Sequence, residues 1–91
     1  MRQQNIKIYK FEKRGCGPCR MAGMVSQKIA DKCGVELVSF DIIENEDVLT
    51  KYDIKSVPTV IVVNENGEEL KRLINFGEIA AQLEKTVMEL R

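Results

Sequence analysis

Four consecutive aliphatic residues, Val60, Ile61, Val62 and Val63, stand between Val57-Pro58-Thr59 and Asn64-Glu65-Asn66-Gly67. Successive side chains of a strand point to opposite faces, so a strand without a polar position must be covered on both sides. The Asn-Gly that follows is a tight hairpin signal, after which residues 68–73 return as a more polar strand. Such a chain needs helices on both faces of a sheet.

The rest of the sequence supplies them. Residues 6–11, Ile-Lys-Ile-Tyr-Lys-Phe, alternate apolar and polar and predict a first strand. From Pro18 to Lys32, Met21, Val25, Ile29 and Cys33 recur every four positions, which predicts an amphipathic helix facing inward along that stripe. Ala22, Lys28 and Lys32 fall off the stripe, and Gly34 is the stop. Residues 35–41 alternate again as a second strand, and residues 45–53 give a short helix with Val48, Leu49 and Tyr52 inward. After Asn75, Phe76 and Gly77, the residues Ile79, Leu83, Val87 and Leu90 share one face of a last helix. The first two strands should be parallel across their crossover helix and the last two an antiparallel hairpin. The expected fold is α/β, a four-stranded mixed sheet with three helices on its two faces, in the order β-α-β-α-β-β-α. At 91 residues, without a linker or repeat, one domain over residues 1–91 is expected.

Fourteen basic and fourteen acidic side chains cancel, so no overall field draws the chain to nucleic acid or anionic lipid. No apolar run approaches the length of a membrane span, and the start, MRQQNIKIYKF, lacks the apolar core of a secretion signal. A cytoplasmic protein is expected. The one dense basic group, Lys10, Lys13, Arg14 and Arg20, brackets a cysteine pair and reads either as local chemistry or as a solvated rim.

That pair is Cys16-Gly17-Pro18-Cys19, at the break between a strand and a helix. A helix N-terminus presents unpaired N–H groups and about half a positive charge, which stabilises a thiolate. Thiols in such settings fall from about 8.5 toward ~7 or below. Cys16 would then be the exposed nucleophile and Cys19, one turn deeper, the resolving thiol. Gly17 and Pro18 fix the backbone between the two sulfurs. Two other readings compete. A zinc site has too few ligands, since the chain has three cysteines and no histidine, and a structural disulfide over so short a loop adds little stability. Cys33 lies on the helix stripe and reads as a buried hydrophobe or a regulatory thiol. Pro58 removes a ladder donor, which suits the first residue of a strand, as an ordinary trans turn or as a cis bond facing the cysteines.

CGPCRMAGMV, then YDIKSVPTVIVV, then NGEELKR and Phe76-Gly77 make the chain resemble the thioredoxin family from Ile6 onward. It has no counterpart of the first strand and helix of full-length thioredoxins, so the resemblance implies a minimal thioredoxin fold nearer glutaredoxin in size. It also implies a cis Pro58 packed on the Cys16–Cys19 pair and a Val57 backbone free to pair with a substrate strand. With Thr59 completing the Val-Pro-Thr, Val57, Pro58, Phe76 and Gly77 would form the patch that docks partners, bordered by Gly15. The Gly-Pro between the cysteines is similar to that of reducing thioredoxins, whose potentials lie near about −270 mV. A protein-disulfide reductase is therefore implied, monomeric, with no bound cofactor or metal, reduced by a flavin-dependent thioredoxin reductase or similar donor. The alternatives are a glutaredoxin-like carrier, linked to glutathione or ribonucleotide reductase, and a redox-inactive binding module of the same fold. Three positions depart from the family. Gly15 replaces a tryptophan before the first cysteine, and Met24, beside Gly23, replaces a helix-kinking proline, so a straighter helix is expected. Lys10 replaces a buried aspartate that serves as base for the second cysteine. Its cation would lower a cysteine pKa, and Glu12 would replace the base if it faces inward.

Overall fold

The structure, a computed structural model, describes residues 4–91, so the first three residues of the segment read for a secretion signal lie outside it. Seven elements follow in the expected order: β1 (Ile6–Glu12), α1 (Gly17–Cys33), β2 (Glu36–Asp41), α2 (Glu46–Tyr52), β3 (Thr59–Asn64), β4 (Glu69–Ile74) and α3 (Asn75–Leu90). The sheet runs β2-β1-β3-β4, with β1 parallel to β2, antiparallel to β3, and β3 antiparallel to β4. This is the mixed α/β sheet that the hydrophobic pattern predicts.

The aliphatic run organises both layers. Val60 and Val62 join Ile8, Leu73, Ile79 and Leu83 in the core under α1 and α3, while Ile61 and Val63 join Phe11 and Tyr52 on the α2 side. Removing each such side chain from water contributes roughly 1.5–3 kcal/mol. The hairpin after β3 is held by Asn64, whose Oδ1 accepts the N–H groups of Asn66 (2.9 Å) and Glu68 (3.0 Å). Gly67 closes it at φ +81°, a left-handed conformation that favours glycine.

Two expectations need correction. Of the predicted stripe on α1, Ile29 and Cys33 are buried and Val25 packs half-buried against the core, but Met21 is 49% exposed, and the buried face turns instead through Cys19, Ala22, Ser26 and Ala30, with Ala22 fully buried. Small side chains let the helix lie close to β1 and α3, and close packing outweighs the larger area of methionine. The second correction is at α3, which begins at Asn75 and takes Phe76 and Gly77 into its first turn. Asn75 sits at φ +70° and its Oδ1 accepts the Glu78 N–H at 3.0 Å, while the Glu78 carboxylate accepts the Ile74 N–H at 2.8 Å. That reciprocal pair satisfies donors that a helix start leaves open.

Candidate active site

The strand registers bring the predicted residues to one end of the sheet. Phe11 pairs with Thr59 across β1 and β3, and Thr59 with Ile74 across β3 and β4. The loop after β1, the Val57-Pro58 turn before β3 and the start of α3 therefore meet at the same edge. The Asn75 N–H donates to the Pro58 carbonyl at 3.0 Å and ties two of them together.

Cys16 is the N-cap of α1, in extended backbone, with Gly17 and Pro18 opening the helix as its first two residues. Its sulfur accepts the Cys19 N–H at 3.1 Å and its carbonyl the Arg20 N–H at 3.2 Å. The first turn of α1 carries no acidic side chain, so nothing there offsets the positive end of the helix at this sulfur. Cys16 and Cys19 are joined as a disulfide with their Cα atoms 5.2 Å apart. Cys16 is half-buried and Cys19 is only 2% exposed, the asymmetry expected of an attacking and a shielded thiol. Gly15, just before, has φ +75° with open space around it, so the backbone and not crowding disfavours a side chain there. Cys33 is buried in the core as a free cysteine.

A groove of about 710 Å³ runs beside the sulfurs, and Lys10, Glu12 and Gly23 form part of its wall. Alternation along β1 places Lys10 and Glu12 on the α1 face with Ile6 and Ile8. The Lys10 side chain is 10% exposed and its Nζ lies 2.7 Å from Glu12 Oε1, whose side chain is 34% exposed. Glu12 thus turns toward the same groove as Cys19. Gly23 is a residue whose role the helix pattern did not reveal: a Cβ there would stand 2.7 Å from Lys10 Nζ. A glycine in mid-helix across from a lysine in mid-strand was the available signal, because each costs stability without the other.

On the other side of the loop the Val57–Pro58 bond is cis and Pro58 is buried. Thr59 is 2% exposed, and its hydroxyl donates to the Ser56 carbonyl at 2.8 Å, so its side chain braces the turn from inside. Among the described residues, Val57 makes no loop backbone hydrogen bond and lies before the first β3 pairing at Thr59. Beside it is a smaller pocket of about 420 Å³ with Ile42, Leu49 and Ile54 in its wall and Lys13 shared with the first groove. Phe76 is half-buried against the α1–α3 core and Gly77 is exposed. Among the described residues no three His, Cys, Asp or Glu side chains gather as a metal site, and no helix is long and apolar enough to cross a membrane.

The family model described as Thioredoxin matches residues 1–89. Thioredoxin H2 of Arabidopsis thaliana is 35% identical over 87 residues, 94% of this chain and 63% of that relative, so the chain spans under two thirds of its length. The thioredoxin of Mycoplasma genitalium is 37% identical over 70 residues, covering 76% of this chain and 68% of its own. Among solved structures, thioredoxin NaTrxh from Nicotiana alata superposes with a TM-score of 0.84 at 25% identity, covering 99% of this chain and 76% of that one.

Proposed function

We propose that this chain, which belongs to the thioredoxin family and is a thiol–disulfide oxidoreductase, reduces disulfides of protein substrates through Cys16 and Cys19. The observation that carries the reading is the pair itself: a half-buried Cys16 whose sulfur receives an N–H at a helix N-terminus, with Cys19 buried beside it. In the reduced protein the Cys16 thiolate attacks a substrate sulfur. The substrate S–S bond breaks, one substrate thiolate leaves, and a mixed disulfide forms. The Cys19 thiol gives up its proton, attacks Cys16 Sγ and releases the second substrate thiolate. Two electrons have then passed to the substrate and the protein holds the Cys16–Cys19 disulfide, the state described above.

Glu12, one of two carboxylates lining that groove, serves as the proton acceptor for Cys19, with Lys10 as the positioning residue that holds it. Val57 offers its free N–H and carbonyl to an extended substrate segment, and Pro58, Phe76 and Gly77 border that surface. Gly15, Gly17 and Pro18 shape the approach to Cys16, and Thr59 supports the turn. The unit is one thioredoxin-like domain over residues 1–91, a cytoplasmic monomer, without a bound cofactor, re-reduced by thioredoxin reductase or a similar donor.

The test is reduction of insulin disulfides with dithiothreitol as electron source. Wild type accelerates the reaction and Cys16→Ser does not. Equal rates for the two, with the variant folded, overturn the assignment.

A further inference from the structure

The chain is neutral as a whole, yet its charge is unevenly placed. The groove beside the sulfurs is lined by four cations, Lys10, Lys13, Arg14 and Arg20, against two carboxylates, Glu12 and Asp41. Glu12 is ion-paired while Asp41 keeps its charge, so the lining is positive by two. Glu12 binds Lys10 at 2.7 Å, and Asp41 accepts the Ile43 N–H at 2.8 Å. Lys13, Arg14 and Arg20 are exposed, and among the described residues none has a carboxylate within ion-pair distance. Three free cations thus ring Cys16. Two come from the loop just before it, and Arg20 lies one helical turn after it on α1.

Lys13 has a second contact surface. It also lines the pocket beside Val57, where Ile42 and Ile54 supply apolar wall. A segment passing from Val57 toward Cys16 therefore crosses an apolar pocket and then a field of positive charge.

We infer that the preferred substrates are protein disulfides whose flanking residues are acidic, held by Lys13, Arg14 and Arg20 while Cys16 attacks. This inference rests on the disulfide-reductase reading above and names its substrate class. Complementary charge acts mainly on encounter and choice of partner, and each exposed pair is individually weak. Three together give about a tenfold rate preference at low salt. The preference shrinks toward about twofold at 1 M salt, where the screening length falls to ~3 Å.

The experiment uses three peptides with the same intramolecular disulfide, flanked by Glu, Ser or Lys, and follows their single-turnover reduction by the reduced protein at low and high salt. The expected order at low salt is Glu, then Ser, then Lys, with the spread narrowing to about twofold at 1 M. A Lys13→Glu/Arg14→Glu/Arg20→Glu variant reverses that order, and the salt dependence of the wild type tests the same point without any substitution. If all three peptides are reduced equally at low salt, the charge assignment is wrong and the reductase reading stands. If glutathione disulfide is reduced faster than the Glu peptide, the assignment to protein segments is wrong. If none is reduced, the reductase reading itself fails.

Discussion

Gly23→Ala is the sharpest probe of how this site is built, because two effects of known sign oppose each other. In an unconstrained helix interior, replacing glycine with alanine stabilises by about 0.8–1 kcal/mol. Here the new Cβ would stand 2.7 Å from Lys10 Nζ, with Cε and Cδ at 3.8 and 3.9 Å. The stem tolerates the methyl group, and the ammonium does not. It must withdraw by about 0.7 Å to reach ordinary contact near 3.4 Å, which strains its 2.7 Å bond to Glu12. A charged hydrogen bond contributes roughly 1.5–3 kcal/mol, and the partial exposure of Glu12 puts this one toward the lower end. Gly23→Ala should therefore destabilise the oxidised protein by about 0.5 kcal/mol, a fall of roughly 2–4 °C in Tm. Lys10→Met keeps most of the stem and removes the ammonium, so in that background the same substitution should stabilise by about 1 kcal/mol. Urea unfolding of the four proteins reads a coupling of about 1.5 kcal/mol between the sites. If Gly23→Ala stabilises both backgrounds equally, the helix glycine does not exist to house the lysine.

Ser26 is fully buried in α1 and its hydroxyl has no hydrogen-bond partner; Ser26→Ala should raise stability by about 1 kcal/mol, seen as a higher urea midpoint with an unchanged slope. Arg72 donates to the Tyr52 and Asp53 carbonyls at the end of α2 and to Glu69 at 2.8 Å, and its hydrogen bond to Glu69 holds its pKa above the usual value. Arg72→Met should cost about 2 kcal/mol while leaving the rate of insulin reduction unchanged in the folded protein. With Cys19→Ser, alkylation of Cys16 followed against pH should rise with a midpoint below the ~8.5 of a free thiol. A midpoint at that value would show that the helix terminus and its cations do not act on the sulfur.

What the sequence made legible follows the residues whose environment is dictated locally. Val60 to Val63 needed cover on both faces and received it, one pair in each core. The cysteine pair needed only a strand before it and a helix after it. The buried face of α1 was legible at Ile29 and Cys33 but not at its start, because periodicity weighs apolar size while the packing there selects small residues such as Ala22, Ser26 and Ala30. The start of α3 misled for a related reason. Asn75 and Gly77 are turn residues, and only the reach of Glu78 back to the Ile74 N–H turns them into a helix start.

Lys10, Glu12 and Gly23 act as one unit. A lysine in mid-strand, facing a helix, requires space for its head and a counter-charge within reach. Gly23 supplies the first, and Glu12, two residues along and on the same face, supplies the second. The family resemblance puts a carboxylate at the position of Lys10, whereas here Glu12 brings a carboxylate to the groove wall, where it is a third exposed. Substituting any one of the three leaves the other two without their purpose: a buried ammonium without a partner, a carboxylate without an anchor, or a helix glycine that only costs stability.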